Sequence, residues 1–186
     1  MSTGVSDVKS AQDVLDFWLG AGPDKWFNKD DGFDRAIREQ FLPAYEAAAA
    51  GQLSDWESTP EGALALVIVL DQFPRNIFRG DARSWAADPV ARGVANRALD
   101  AGYDRQVPKE LKSFFYLPLM HSERLADQER CVDLYRAHGD ENGLKYAELH
   151  ADIIRRFGRF PHRNPVLGRE TTADEKTFLE SGGFGG

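Results

Sequence analysis

Cysteine occurs once, at Cys131, so no disulfide can close within the chain, and a reducing, cytoplasmic setting is expected. No apolar run approaches the ~18–20 residues that a membrane span needs, which leaves no membrane partner to expect. The opening residues, 1–9, have neither a basic start nor an apolar stretch, so no secretory signal is expected. Positive charge is in deficit: 23 Lys and Arg face 30 Asp and Glu, for a formal net charge of −7. With a pI near 5.1, the chain lacks the basic face that phosphate backbones require, and nucleic acid is not an expected partner. Glycine-rich phosphate loops, dinucleotide fingerprints and nucleophile elbows are missing. There is no Cys pair, no His-x-x-x-His and no histidine–carboxylate set at ligand spacing, so neither a metal nor a cofactor is expected. A metal would need the distant His121, His150 and His162 to converge. His121 and Glu123 do not suffice, because residues two apart on a helix point about 160° from each other.

What is present is helix. The 42% apolar and 28% charged fractions suit one folded domain over 1–186, with loose ends at 1–9 and 182–186. Ser10 can cap a helix running to Leu19, and Trp26-Phe27 falls in a short connection. Phe33, Ile37, Phe41 and Tyr45 recur every four residues in a second helix, which Pro43 should kink or split. Thr59-Pro60 is a cap followed by proline at the first helical position. It opens a run from Ala63 to Leu70 with no polar residue, and Pro74 should end that helix. Asp88-Pro89 repeats the cap-plus-proline signal, with Gly102 as the stop. Further helices follow from Pro108 to Met120, over 125–138 and to Phe157, with Pro118 implying a kink. Thr172 with Glu175 forms a capping box for a last short helix. No segment offers a convincing strand. The fold expected is all-α, a multi-helix bundle of antiparallel pairs joined by short, proline-marked connections.

The densest chemistry lies in Arg155–Arg169, which holds five arginines, one histidine and no acid. An upstream segment echoes it. Aligning Phe73-Pro74 with Phe160-Pro161, and allowing His162 as an insertion, places Arg75-Asn76 on Arg163-Asn164. A turn stiffened by Phe-Pro presents arginine and asparagine donors rigidly, and several converging would grip a carboxylate or phosphate. Arg75, Asn76, Arg159, His162, Arg163 and Asn164 are therefore the candidate ligand-binding residues. The competing reading has the arginines satisfying helix-end carbonyls and internal acids.

Asp71 closes an apolar helix, where the macrodipole disfavours its charge by roughly 0.3–1 kcal/mol. It needs a cationic partner, either Arg75 or an arginine of the later cluster. A helical wheel over 144–157 puts His150 amid Tyr146, Leu149, Ile153, Ile154 and Phe157, as a hydrogen-bonded core histidine or, if that face lines a cleft, a general base. His121, His150 and Asp71 are the candidate acid–base groups. Cys131 falls on an apolar face and reads as an inert thiol.

Leu70-Asp71-Gln72-Phe73-Pro74-Arg75-Asn76, Leu117-Pro118-Leu119-Met120-His121-Ser122-Glu123 and Arg156-Phe157-Gly158-Arg159-Phe160-Pro161-His162-Arg163-Asn164 resemble the signature segments of a bacterial family, domain of unknown function nine hundred and twenty-four. Val14-Leu15-Asp16-Phe17-Trp18 and Trp26-Phe27 resemble it as well. The resemblance implies a tetratricopeptide-like all-α fold, and it carries no established activity.

Two functions follow as expectations. One is a small anionic ligand, of phosphate or carboxylate type, held at the two turns and open to catalysis. The alternative is a non-enzymatic interaction module with structural arginines, using an apolar surface around Trp26, Phe27 or Trp85. A homodimer through a self-complementary patch is a third possibility.

Overall fold

Side-chain caps written into the sequence set where the helices begin. In the computed structural model, which describes residues 8–184, Ser10 and Asp13 exchange hydrogen bonds in a capping box that opens α1 (Ala11–Ala21). A short α2 (Pro23–Trp26) follows, and Asp30 caps α3 (Asp31–Ala49). Thr59 caps α4 (Pro60–Val67), with Pro60 in the first turn. After α5 (Phe73–Ile77) come α6 (Asp88–Asp100), α7 (Ser113–Met120), α8 (Leu125–His138) and α9 (Glu141–Phe157). Then α10 (Asn164–Leu167) and α11 (Ala173–Glu180) complete the chain, the latter opened by the Thr172–Glu175 capping box. The described residues are all-helical, with single 3₁₀ turns between helices and no strand. Of the ends expected to be loose, residues 1–7 and 185–186 lie outside the described residues.

Several proline expectations are corrected. Pro43 lies inside α3 without splitting it, because Phe41, Ala44, Tyr45 and Ala48 bury the same stripe on both sides of it. Pro74 does not end the apolar helix. Ile68–Gln72 widens into a π-turn, in which the Phe73 N–H reaches back to the Ile68 carbonyl, and Pro74 sits in the first turn of α5. A first turn needs no N–H from proline, so the chain continues where a regular helix would break. Asp88 is not a cap. It is the first residue of α6, and the N-cap position is held by Ala87.

The chain divides into two compact units, the first covering the described chain to Arg79 and Arg83–Pro118, the second Gly80–Ala82 and the chain from Leu119. In the first, α1 and α6 pack on α4, and α3 packs on α5. Every residue from Gly62 to Pro74 is buried. Trp18 anchors this core, its ring 5.9, 5.8 and 5.6 Å from those of Phe33, Phe73 and Phe114. Each such buried aromatic is worth about 1.5–3 kcal/mol of transfer free energy.

In the second unit α8 and α9 pack together across the link at Gly139 and Asp140. Gly143 lets the helices close, since a Cβ there would lie 2.2 Å from the Tyr135 ring. The buried stripe of α9 is Ala147, His150, Ala151, Ile153 and Ile154, whereas Tyr146 and Leu149 are exposed. The wheel placed the apolar face too near those two residues. Ile153, Ile154 and Phe160 form a small core joined by Phe157, Phe178 and Phe184.

Candidate functional site

Asp71, Arg75 and Asn76 belong to the first unit. Asp71, 1% exposed, accepts from the Gln72 amide at 2.6 Å and lies 3.3 Å from Arg75, one helical turn on. Arg75 also forks onto both carboxylate oxygens of Asp88, at 2.8 and 3.0 Å, and donates to the Asp71 carbonyl. Burial disfavours the Arg75 cation, but the two acids more than offset it and hold the guanidinium firmly charged. Arg75 is thus one cationic partner of Asp71. Asn76 donates to Asp34 at 2.8 Å, and Arg79 forks onto the same carboxylate at 2.9 and 3.0 Å.

The remaining candidates lie in the second unit. Gly158, at φ +68°, turns the chain out of α9, and a 3₁₀ turn over Pro161–Arg163 leads into α10. Arg159 forks onto Glu175 at 2.6 and 2.8 Å and donates to the Glu170 carbonyl. Asn164 donates to the same Glu175 at 3.1 Å and accepts from Arg169 at 2.9 Å. Arg169 in turn forks onto Glu123, which also accepts the Phe160 N–H. Hydrogen bonding by Arg159 holds the Glu175 carboxyl down at about 2. Burial opposes ionisation of Glu123, yet Arg169 and the Phe160 N–H keep its carboxyl below the ordinary range.

Glu123 also corrects a placement. The helix ends at Met120, so residues 121–124 form a loop rather than a helical face. Gln128 fixes that loop by donating to the Met120 and Ser122 carbonyls, both at 2.7 Å.

Arg163 is buried. Its guanidinium lies 4.7 Å over the Phe160 ring and donates to the His121 carbonyl at 3.0 Å. Beside it stand two histidines. His150, 6% exposed, holds its Nδ1 2.7 Å from the Tyr146 carbonyl. A carbonyl only accepts, so Nδ1 carries the proton and Nε2 is the acceptor of the neutral ring. His162 buries its Nδ1 without a hydrogen-bond partner. Burial, and then the charges of Arg163 and neighbouring histidines, push both imidazoles down to about 4, so both are neutral near pH 7. The Phe160 ring stands 5.6 Å from His150 and 5.8 Å from His162. The Phe184 ring, in the stretch expected to be loose, packs 4.6 Å from His150 and 5.5 Å from His162.

Among the described residues no group of three or more His, Cys, Asp or Glu side chains is placed to hold a metal ion. Cys131 is buried in α8, and burial pushes its thiol up to about 12, so it is no nucleophile. Of the aromatics weighed for an interaction surface, Trp26 donates to the Trp18 carbonyl and Phe27 is 63% exposed. No described helix is long and apolar enough to cross a membrane.

The sequence did not single out Asp34 or Phe184, it treated Asp88 and Glu175 as caps alone, and it counted Arg169 only as one of the clustered arginines. Only the acid-free run of arginines hinted that acids elsewhere must answer it.

Fold and site define an all-helical protein whose turns are clamped by arginine–carboxylate pairs and whose second unit carries a neutral histidine pair beside a buried arginine. Residues 14–183 match the family model described as bacterial protein of unknown function, DUF924, and the chain belongs to that family. A solved protein of unknown function from Agrobacterium tumefaciens is similar, with 49% identity and a TM-score of 0.89, over 92% of this chain and 97% of that one. No curated protein matches.

Proposed function

We propose that the protein binds a small anionic ligand, carboxylate or phosphate, in its second unit, at Arg163 flanked by His121, His150 and His162. The observation that carries this reading is the buried Nδ1 of His162, without a hydrogen-bond partner, beside a buried guanidinium. Buried polar atoms are seldom left unsatisfied, and with its proton on Nδ1 the His162 ring donates to an oxygen of the bound anion. A neutral imidazole next to a bound anion is also placed to exchange a proton with it. Asp71, Arg75, Asn76, Arg159 and Asn164 act in this reading by fixing turns, since their donors and acceptors engage internal partners. The close pairing of α8 and α9 across a short link supports a tetratricopeptide-like kinship. The buried, solitary thiol suits a cytoplasmic protein.

The test is thermal shift of the pure protein against simple carboxylates and phosphates, alongside His162→Gln and Arg163→Lys. A ligand at about 100 times its Kd stabilises by roughly 2.7 kcal/mol. For a chain of this length that raises Tm by about 5–10 °C. The rise should disappear in both variants. If no anion moves Tm, or the rise persists in both variants, the reading is wrong.

A further inference from the structure

The seat of Phe184, a partly buried ring, lies against the small core of Ile153, Ile154 and Phe160. Its walls are aromatic: His150 and His162 face the Phe184 ring at 4.6 and 5.5 Å, and Phe160 stands behind both histidines at 5.6 and 5.8 Å. The guanidinium of Arg163 lies over the Phe160 ring at 4.7 Å, and its charge acts on His162, one wall of the seat. Phe184 reaches the seat on a glycine strap. Gly182 turns the chain at φ +82°, a conformation open to glycine. The Gly183 N–H donates to the Phe178 carbonyl at 3.0 Å. That approach leaves no room for a side chain: a Cβ on Gly183 would lie 2.4 Å from the Phe178 oxygen and 2.7 Å from its ring. Ser181 and Gly182, which lead into it, are exposed. Two consecutive glycines therefore deliver one phenyl ring onto the two histidines beside Arg163.

Resting on the anion-binding reading above, we infer that the ligand of this site is a planar aromatic carboxylate, and that Phe184 is its internal competitor, closing the slot when no ligand is bound. Stacked and edge-to-face ring contacts favour a flat ring in such a slot, and the guanidinium beside it suits the carboxylate. A slot occupied by its own strap most of the time binds a ligand more weakly in proportion to the fraction open.

The experiment measures binding of benzoate and of acetate by calorimetry to the full chain, to Phe184→Ala, to Gly183→Ala and to Arg163→Lys combined with Phe184→Ala. Gly183→Ala is decisive, because it keeps the phenyl ring and displaces only the strap. Tightening in Gly183→Ala shows that the intact ring, when seated, competes with the ligand. Benzoate should bind about tenfold more tightly in both single variants, while acetate changes less than twofold. Loss of benzoate in the double variant would tie the carboxylate to Arg163. If benzoate does not tighten in Gly183→Ala, the competitor role is refuted, while acetate binding that depends on Arg163 would leave the anion reading standing. If benzoate tightens equally with Arg163→Lys present, the slot and its strap stand and the anion reading falls. Binding of neither ligand to any of the four proteins overturns both.

Discussion

His150 should make the protein lose stability between pH 6.5 and 4, before its carboxylates titrate. An unfolded histidine has a pKa near 6.5, whereas burial, offset in part by the Tyr146 carbonyl and added to by His121 and Arg163, brings His150 to about 4 in the folded protein. Above pH 6.5 neither state binds the proton, and the folded state keeps its full stability. Between 6.5 and 4 the unfolded chain takes up a proton that the folded chain refuses, so stability falls with pH; below 4 both states are protonated and the loss levels off. The gap is worth about 3 kcal/mol, at 1.36 kcal/mol per pKa unit. His162, also near 4, adds less, because its ring is partly open to solvent. Urea unfolding from pH 8 to 3.5 reads this directly. With a slope of about 2 kcal/mol/M, the wild-type midpoint should fall roughly 1–2 M further across that window than the midpoint of His150→Gln. Glu123 and Glu175, whose pKa values are lowered, contribute stability that is lost only at lower pH, as they protonate, and they do so equally in both proteins. Equal losses in the two proteins, or an NMR titration placing the His150 imidazole at 6 or above, would refute the argument.

Glu175→Gln should destabilise the second unit by about 3 kcal/mol, since it strips the charge from a carboxylate 2% exposed and leaves Arg159 without its anion; chemical denaturation measures it, and a loss under 1 kcal/mol would mean the clamp is dispensable. Gly143→Ala should cost about 1–3 kcal/mol, because the new methyl meets the Tyr135 ring. Gly20→Ala, with nothing within 4 Å of the new methyl, should instead stabilise α1 by roughly 0.5–1 kcal/mol; equal effects at the two glycines would show that helix propensity, not packing, governs them.

The helices were legible because their signals are local. Ser10, Thr59 and Thr172 each cap the helix expected of them, and Gly139 and Gly158 stop two others. Proline was misread at Pro74, and at Pro43 the helix is not split, because the consequence of a proline depends on its neighbours. A stripe buried on both sides of Pro43 outweighs a lost hydrogen bond, and the π-turn that makes Pro74 a first-turn residue has no signature in sequence. Long-range partners were the larger blind spot. Arg169 and Glu123 are separated by 46 residues, and no periodicity links them. Phe184 was invisible for a different reason: glycines on both sides of it read as a loose end, yet in the structure the two before it, Gly182 and Gly183, let it fold back.

The echo between the two Phe-Pro turns has a shared chemistry that needs no shared ligand. In the first unit one carboxylate, Asp34, receives the Asn76 amide and the fork of Arg79. In the second, Glu175 receives the Asn164 amide and the fork of Arg159. Each Phe-Pro segment, the short helix α5 in the first unit and a 3₁₀ turn in the second, is thus pinned by an asparagine and an arginine closing on a single acid from another helix, α3 in one case and α11 in the other. The acids come from unrelated places, so the repeat shows only in the donors. The clamp ties each segment down, which accounts for Arg79, Arg159, Asn76 and Asn164 as donors to structural acids. What the echo does not account for is His162, the one residue inserted between the aligned proline and arginine. The insertion sets an imidazole beside Arg163 and beneath Phe184, a feature with no counterpart in the first copy. A residue that breaks a structural repeat, and whose buried nitrogen lacks a partner, is where a function added to the clamp would reside.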